Sequence, residues 1–240
     1  MATMMETQAQ PPIVTREEWR VARSRLLAQE KALTRLQDAV SAQRRRLPMV
    51  EVDAGYTFEG ADDTVTLLDL FDGRPQLILQ HFMFGPDWEE GCVGCSMMAD
   101  HVGPLVHLHA RGASFAMVSR APIGKLLAYR ERMGWDLPWY SSAESTFNDD
   151  FHATINGEEQ SGLSTFVRDG DRVYHAWQTG GRGVEVIVNA LQYLDLTPFG
   201  RQEPWEDSPA GWPQSGPDGW WQRHDRYDVD GRETASVAGR

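Results

Sequence analysis

The chain has 240 residues, 41% hydrophobic and 24% charged, with a formal net charge of -12. That acidity excludes general binding to nucleic acid or anionic membranes, which needs clustered Lys and Arg. No apolar run nears the roughly 20 residues of a membrane span, and Met1 to Pro12 lacks the apolar core of a signal peptide, so the sequence reads as cytoplasmic.

Residues 1–14 read as disordered: they are polar and run into Pro11-Pro12. Residues 15–47 read as one long helix. Thr15 with Glu18 three residues on makes a capping box, and Pro48 stops the run. Its stripe is Trp19, Ala22, Leu26, Gln29, Leu33, Leu36, Val40, Gln43 and Leu47, an alternating 3,4 spacing. Such a seam either lies on its own domain or pairs with a second copy. Residues 16–46 hold nine Lys/Arg against four Asp/Glu, so the remainder carries -17. That contrast fits docking in cis or in trans.

Residues 48–197 read as one α/β domain. Val50 to Thr57 is extended, and Val65 to Leu68 is a strand followed by a helical turn that ends at Gly73. Gln76 to Phe84 is apolar enough for a central strand buried on both faces. A Gly/Pro/Trp loop leads into a helix whose buried face is expected to be Met98, Val102, Leu105 and Val106, with a kink or stop at Pro104. Ala113 to Ser119 is a second central strand, and Ile123 to Met133 is a helix closed by Gly134. Leu137 to Ser142 is a short extended piece, and Glu144 to Phe151 a helical turn. Ser164 to Val167 and Arg172 to Trp177 flank an Asp-Gly turn and read as a hairpin. Gly183 to Leu194 is expected as a final helix, with Val184, Ile187, Val188, Leu191 and Leu194 on one face. The sum is a mixed sheet covered by helices on both faces.

Residues 198–229 are rich in Pro, Gly and Asp and hold four of the nine tryptophans, Trp205, Trp212, Trp220 and Trp221. So many aromatics in an irregular segment imply that it is pinned to a surface, on its own domain or on a partner subunit. A homodimer through the N-terminal helix and this extension is therefore an expectation. His224 and Asp225 are expected to bridge the extension to the domain. Residues 230–240 read as a disordered tail.

The chemistry concentrates in Phe82 to Asp100, which holds both cysteines, Cys92 and Cys95. Two cysteines are too few for a disulfide scaffold of this size. On a helix, residues i and i+3 sit about 5–6 Å apart, within disulfide range. A helix N-terminus favours a thiolate. Cys92, nearer the loop, is the expected nucleophile, and Cys95 the resolving thiol. Gly94 leaves room for an approaching disulfide, and Trp88 is placed to wall the site. Asp87, Glu89 and Glu90 work against the thiolate, because like charge raises its pKa. A vestigial pair and a zinc site remain as other readings. Zinc would draw on His81, His101, His107 and His109 for about two further ligands, and it ranks below the redox pair.

The order of elements, with Cys-x-x-Cys just after the central strand, resembles the thioredoxin fold, and ASFAMVSRAPIGKLLAYRERMGWDLPWYSS and STFVRDGDRVYHAW are similar to its peroxiredoxin branch. The motifs EEWRVARSRLLAQEKALTR, HFMFGPDWEEGCVGCSMMAD, GLSTFVRDGDRVYHAW and WWQRHDRYD resemble, more specifically, a family of uncharacterised bacterial thioredoxin-like proteins, regarded as dithiol–disulfide oxidoreductases. The resemblance implies a thioredoxin-like, peroxiredoxin-type α/β fold and a protein or small-molecule disulfide as substrate. It implies no cofactor beyond the redox-active disulfide. It adds Ser96, Arg120, Ser164 and Thr165 as residues lining the site. Where peroxiredoxins carry a Thr three residues before the reactive Cys, this chain has Glu89. Where they carry an Arg on the late strand, and thioredoxins a cis-proline, it has Leu163-Ser164-Thr165. A binding or scaffold protein without redox turnover, and a peroxide reductase, are the competing functions.

Overall fold

The computed structural model describes residues 10–214 and 220–227. Among them, one compact unit comprises residues 49–190 with 220–227, and a second comprises 10–48 with 191–214. The expectation of a disordered tail at 230–240 lies outside the described residues, as do residues 1–9.

The first unit is built on a sheet. Its strands are β1 (Val50–Val52), β2 (Thr57–Glu59), β3 (Thr64–Thr66), β4 (Gln76–His81), β5 (Ala113–Ser119), β6 (Trp139–Ser141), β9 (Gly162–Asp169) and β10 (Arg172–Gly180). Two more short strands, β7 (Thr154–Ile155) and β8 (Glu158–Glu159), form a separate ladder. The main sheet runs β1-β10-β9-β4-β5-β6-β2-β3. β4 is central, parallel to β5 and antiparallel to β9. Between β4 and β5 lie α2 (Val93–Asp100) and α3 (Val106–His109), and α4 (Ile123–Arg132) joins β5 to the parallel β6. A central strand that leads into a helix, returns as its parallel neighbour, and is flanked on the other side by an antiparallel hairpin is the thioredoxin arrangement.

The strands read as they do because side chains alternate between faces. On one face Leu77 and Leu79 of β4 join Ala116 and Val118 of β5 in a core with Phe58, Phe71, Phe147 and Phe166. On the other, Phe115 and Met117 of β5 pack with Phe82, Phe84, Leu126, Trp139 and Cys95. Both faces are covered, which is why the two strands are mainly apolar. Burying each such Leu or Phe contributes about 1.5–3 kcal/mol. The β9–β10 hairpin turns on Gly170 and Asp171, with Gly170 at φ +59°.

Two expectations are corrected. No single helix spans Gly183 to Leu194: the chain makes a 3-10 segment over Gly181–Ile187, passes through Val188 in extended backbone, and then forms a short helix, α5 (Asn189–Leu194). The β-branched run Val186-Ile187-Val188 disfavours helix, and Gly181 sits at φ +53°. The helix after the cysteines ends at Asp100, before Pro104, so Val106 falls on α3 and is 64% exposed rather than buried.

In the second unit α1 (Arg16–Arg44) has the expected capping box, with the Thr15 hydroxyl accepting from Glu18 N at 3.3 Å and Glu18 accepting from Thr15 N at 2.9 Å. None of its residues is buried. Residues 195–214 are held by polar contacts. Arg201 donates to both carboxylate oxygens of Asp195 at 2.7 Å. Phe199 and Trp212 meet edge to face at 5.2 Å. Among the described residues no helix is long and apolar enough to cross a membrane.

Candidate functional site

The site begins where β4 leaves the sheet. Phe82 N donates to Val118 O at 2.9 Å and Ala121 N to Phe84 O at 2.8 Å, so the ends of β4 and β5 stay side by side. The loop that follows is pinned by Lys125 of α4, whose ammonium donates to Pro86 O at 2.8 Å and Trp88 O at 3.1 Å. Cys92 N then donates back to Met83 O at 3.0 Å, folding the loop onto the strand end. Gly91 is required in that fold: a Cβ there would lie 2.6 Å from the Phe82 ring.

Cys92 is the N-cap of α2. Its sulfur takes the place of a capping hydroxyl and accepts the N–H of Cys95 at 3.5 Å. Both cysteines are free thiols, Cys92 partly exposed and Cys95 buried. The Cys95 thiol and the helix N–H groups of Cys95 and Gly94 hold the Cys92 thiol down to about 6, against the opposing effect of burial. The same contact pushes Cys95 well up, because its proton is held by Cys92 and burial disfavours its charged form. A second donor, Met83 N, reaches Cys95 Sγ at 3.4 Å.

One carboxylate of the acidic loop, Glu90, does not act as its charge implies. It is paired with Arg132, with Arg223 at 2.9 Å and with Arg226 at 2.6 Å. The hydrogen bonds from Arg132 and Arg226 hold its carboxyl down to about 2 against the cost of burial. One of the three carboxylates expected to raise Cys92 is thus tied to three cations.

The other residues read from the sequence separate into two groups. Ser96 lies at the thiols: its hydroxyl donates to Cys92 O at 2.8 Å and pairs with Tyr129 Oη at 3.0 Å. Gly94 lies under the Trp221 ring, which a Cβ would meet at 3.4 Å. Trp88 is 37% exposed and folds back over Gly85. Arg120 is tied to Glu159 at 2.7 Å. Ser164 is fully buried and bonds His81 Nε2 at 2.7 Å, with His81 stacked on Phe147 and Phe151 in the core opposite Cys95. Thr165, paired with Ile78 in the ladder, is partly exposed on the other face. The histidines weighed as zinc ligands are engaged or dispersed. His101 uses both ring nitrogens, on Met97 O at 2.7 Å and Ala190 N at 3.1 Å. Among the described residues no three His, Cys, Asp or Glu side chains gather as a metal site.

Sequence reading missed Gln80, Tyr129 and Arg223 as site residues, and it expected Trp221 to pin the extension without placing it at the thiols. Gln80 donates to Cys95 O at 3.1 Å. Tyr129 meets Ser96 from α4, and Arg223 reaches the loop from the C-terminal segment. The motif around His224 and Asp225 was the available signal. His224 bonds Asp100 at 2.6 Å and Asp225 pairs with Arg132 at 2.7 Å, so these two do bridge the extension to the domain.

The family model described as "Bacterial protein of unknown function (DUF899)" matches residues 8–227. No curated protein matches the chain. Among solved structures, the chain is similar to PrxQ of Xylella fastidiosa at 13% identity, over 60% of this chain and 94% of that one, with a TM-score of 0.43. It is similar to peroxidoxin BcpB from Mycobacterium tuberculosis at 19% identity, over 60% and 99%, with a TM-score of 0.42. A third likeness is to a Plasmodium vivax 2-Cys peroxiredoxin at 12% identity, over 61% and 94%, with a TM-score of 0.39. At such scores the thioredoxin-like architecture stands on the strand order itself.

Proposed function

The chain belongs to that family of bacterial proteins, and we propose that it works as a thiol–disulfide oxidoreductase, with Cys92 as nucleophile and Cys95 as resolving thiol. The observation that carries this reading is the asymmetry of the pair: a partly exposed thiol held low at a helix N-cap, beside a buried thiol held high. Its substrate is a protein or small-molecule disulfide in a reducing, cytoplasmic compartment. The pair needs no cofactor beyond itself.

The Cys92 thiolate attacks one sulfur of the substrate disulfide. A bond forms between Cys92 Sγ and that sulfur, the substrate S–S bond breaks, and the other substrate sulfur leaves as a thiolate. Cys92 now carries no charge. Two of the three effects that raise Cys95, its hydrogen bond to Cys92 and the repulsion from that thiolate, vanish together, while burial and the Met83 N–H remain. Cys95 therefore loses its proton more easily once the mixed disulfide exists. Its thiolate attacks Cys92 Sγ, closes the Cys92–Cys95 disulfide and expels the second substrate thiolate. Two electrons have moved from the pair to the substrate.

Redox titration with thiol labelling tests this: the two cysteines should titrate as one two-electron couple. A pair that stays reduced or stays oxidised across the range removes the reading. Alkylation of Cys92 against pH should show a midpoint near 6; a midpoint at the ordinary value of about 8.5 removes the activated nucleophile.

A second reading, assembly through the long helix, has its own observation. Leu26, Leu33, Leu36 and Val40 follow a heptad-like spacing on α1 and are 50%, 65%, 60% and 43% exposed. A second copy of the same helix is the occupant that such a seam matches. Leu33→Glu with Leu36→Glu in the full chain should halve the mass read by light scattering. An unchanged mass, or a monomer in the parent protein, defeats it.

A further inference from the structure

We propose that Arg223 is the positioning residue of the thiol site, fixing the backbone on both sides of Cys92 and supplying the cation that faces it. The proposal rests on reading Cys92 as the reactive thiol, and goes beyond it by making the segment Trp220–Tyr227 part of the site.

Three observations carry it. First, the guanidinium is spent on the loop. Nη2 donates to Gly91 O at 2.6 Å, Nε to the same oxygen at 3.2 Å and to Tyr129 Oη at 2.9 Å, and Nη1 pairs with Glu90 at 2.9 Å. A planar fork suits such convergent acceptors where a lysine would not. Second, these contacts close a ring around the nucleophile. Tyr129 pairs with Ser96 at 3.0 Å, and Ser96 donates to Cys92 O at 2.8 Å. The carbonyls of Gly91 and Cys92, one before the thiol and one after it, are thus held by one connected network. Third, the segment that brings Arg223 is anchored at several points. His224 holds Asp100, Asp225 holds Arg132, Arg226 holds Glu90, Tyr227 Oη accepts from Gln222 N at 2.8 Å, and the Trp221 ring covers Gly94.

The charged and titratable groups around the thiol are Asp87, Glu89 and Glu90 from the loop, Cys95 and Asp100 from α2, and Lys125, Tyr129 and Arg132 from α4. From the C-terminal segment come Arg223, His224, Asp225 and Arg226. Of the cations in that set, Arg223 is the one whose field also lowers Cys92. It does so while holding the carbonyl of the preceding residue.

The test is the pH profile of Cys92 alkylation by iodoacetamide in the full-length protein, resolved from Cys95 by peptide mass. Arg223→Met should move the midpoint up by about one unit and slow alkylation at pH 5.5 roughly 3-fold. Arg223→Lys should recover part of that shift, because it restores the charge without the fork. A melting curve is run on each variant, and if the methionine form does not fold, Arg223→Gln carries the same expectation. A methionine or glutamine variant that melts lower but keeps the parent midpoint makes Arg223 a structural tether and overturns the proposal. The outcome is separable from that of the redox reading. A shifted midpoint in a pair that never cycles sinks the oxidoreductase and leaves the role of Arg223 standing; cycling with an unshifted midpoint does the reverse.

Discussion

Changing Cys95 to serine should stop turnover and leave Cys92 joined to its substrate as a stable mixed disulfide, while Cys92→Ser should reduce exchange to the uncatalysed level. The serine at 95 removes the attacking sulfur that releases the product, and Cys92 is then the one exchangeable thiol in the chain. Mass spectrometry after incubation with a model disulfide reads the adduct. No adduct in the Cys95→Ser protein, or full activity in Cys92→Ser, defeats the assignment of roles. The magnitudes say which step the low Cys92 value serves. At pH 7 a thiol at about 6 is roughly 30-fold richer in thiolate than one at about 8.5. Nucleophilicity falls with basicity, with a slope of about 0.4–0.5, and cancels all but about 2-fold of that gain. The first attack is hardly faster. The larger benefit comes in the second step, where a weakly basic Cys92 leaves more readily under attack by Cys95. Stabilising the reduced form in this way also makes the closed disulfide more oxidising. A potential well above that of a thiol pair without such a helix cap is the corollary.

The sequence revealed what is encoded locally. β4 and β5 stood out because both faces of each strand are buried, α1 because Thr15 and Glu18 cap it reciprocally, and the late hairpin because of the glycine at its turn, although the two turn residues are Gly170 and Asp171 rather than Asp169 and Gly170. The cysteine pair was legible for the same reason: Cys92 and Cys95 lie three apart at a strand-to-helix step. The readings that failed did so for different reasons. The pattern Val184, Ile187, Val188, Leu191 has helical spacing, yet its β-branched run and flanking glycines broke the helix. The carboxylates before Cys92 read as unfavourable because the cations that pair Glu90 lie 42 to 136 residues away along the chain. No periodicity announces a contact of that separation. Ser164 was misleading in another way: strand alternation placed it on the His81 side of the sheet, opposite the core that holds Cys95.

That His81–Ser164 contact carries the second large expectation, a loss of stability on mild acidification. His81 is 3% exposed, and its Nδ1 has no hydrogen-bond partner among the described residues. Burial, with His175 nearby, holds its pKa down to about 3. In the unfolded chain the same ring titrates near 6.5. The unfolded state therefore binds one more proton than the folded state between pH 6.5 and about 3, and stability falls as pH falls through that window. The slope is about 1.4 kcal/mol per pH unit, or about 2 kcal/mol lost between pH 6.5 and 5. His175, also lowered by burial, acts in the same direction. Carboxylates held low by ion pairs, such as Glu90 and Asp225, add their own loss only below about pH 5, where their unfolded counterparts begin to protonate. In the interval from pH 6.5 to 5 the histidines are joined by Cys92, held down to about 6, which loses its own smaller contribution in the same direction, so the share of His81 is the difference between parent and variant. Urea unfolding across the interval should show the slope in the parent protein and lose about one proton's worth of it in His81→Asn, whatever offset the smaller side chain adds at every pH. A parent stability that is flat across that interval, or an unchanged slope in the variant, means that the ring is charged or solvated in the folded protein, and the account of the core behind the thiol site fails with it.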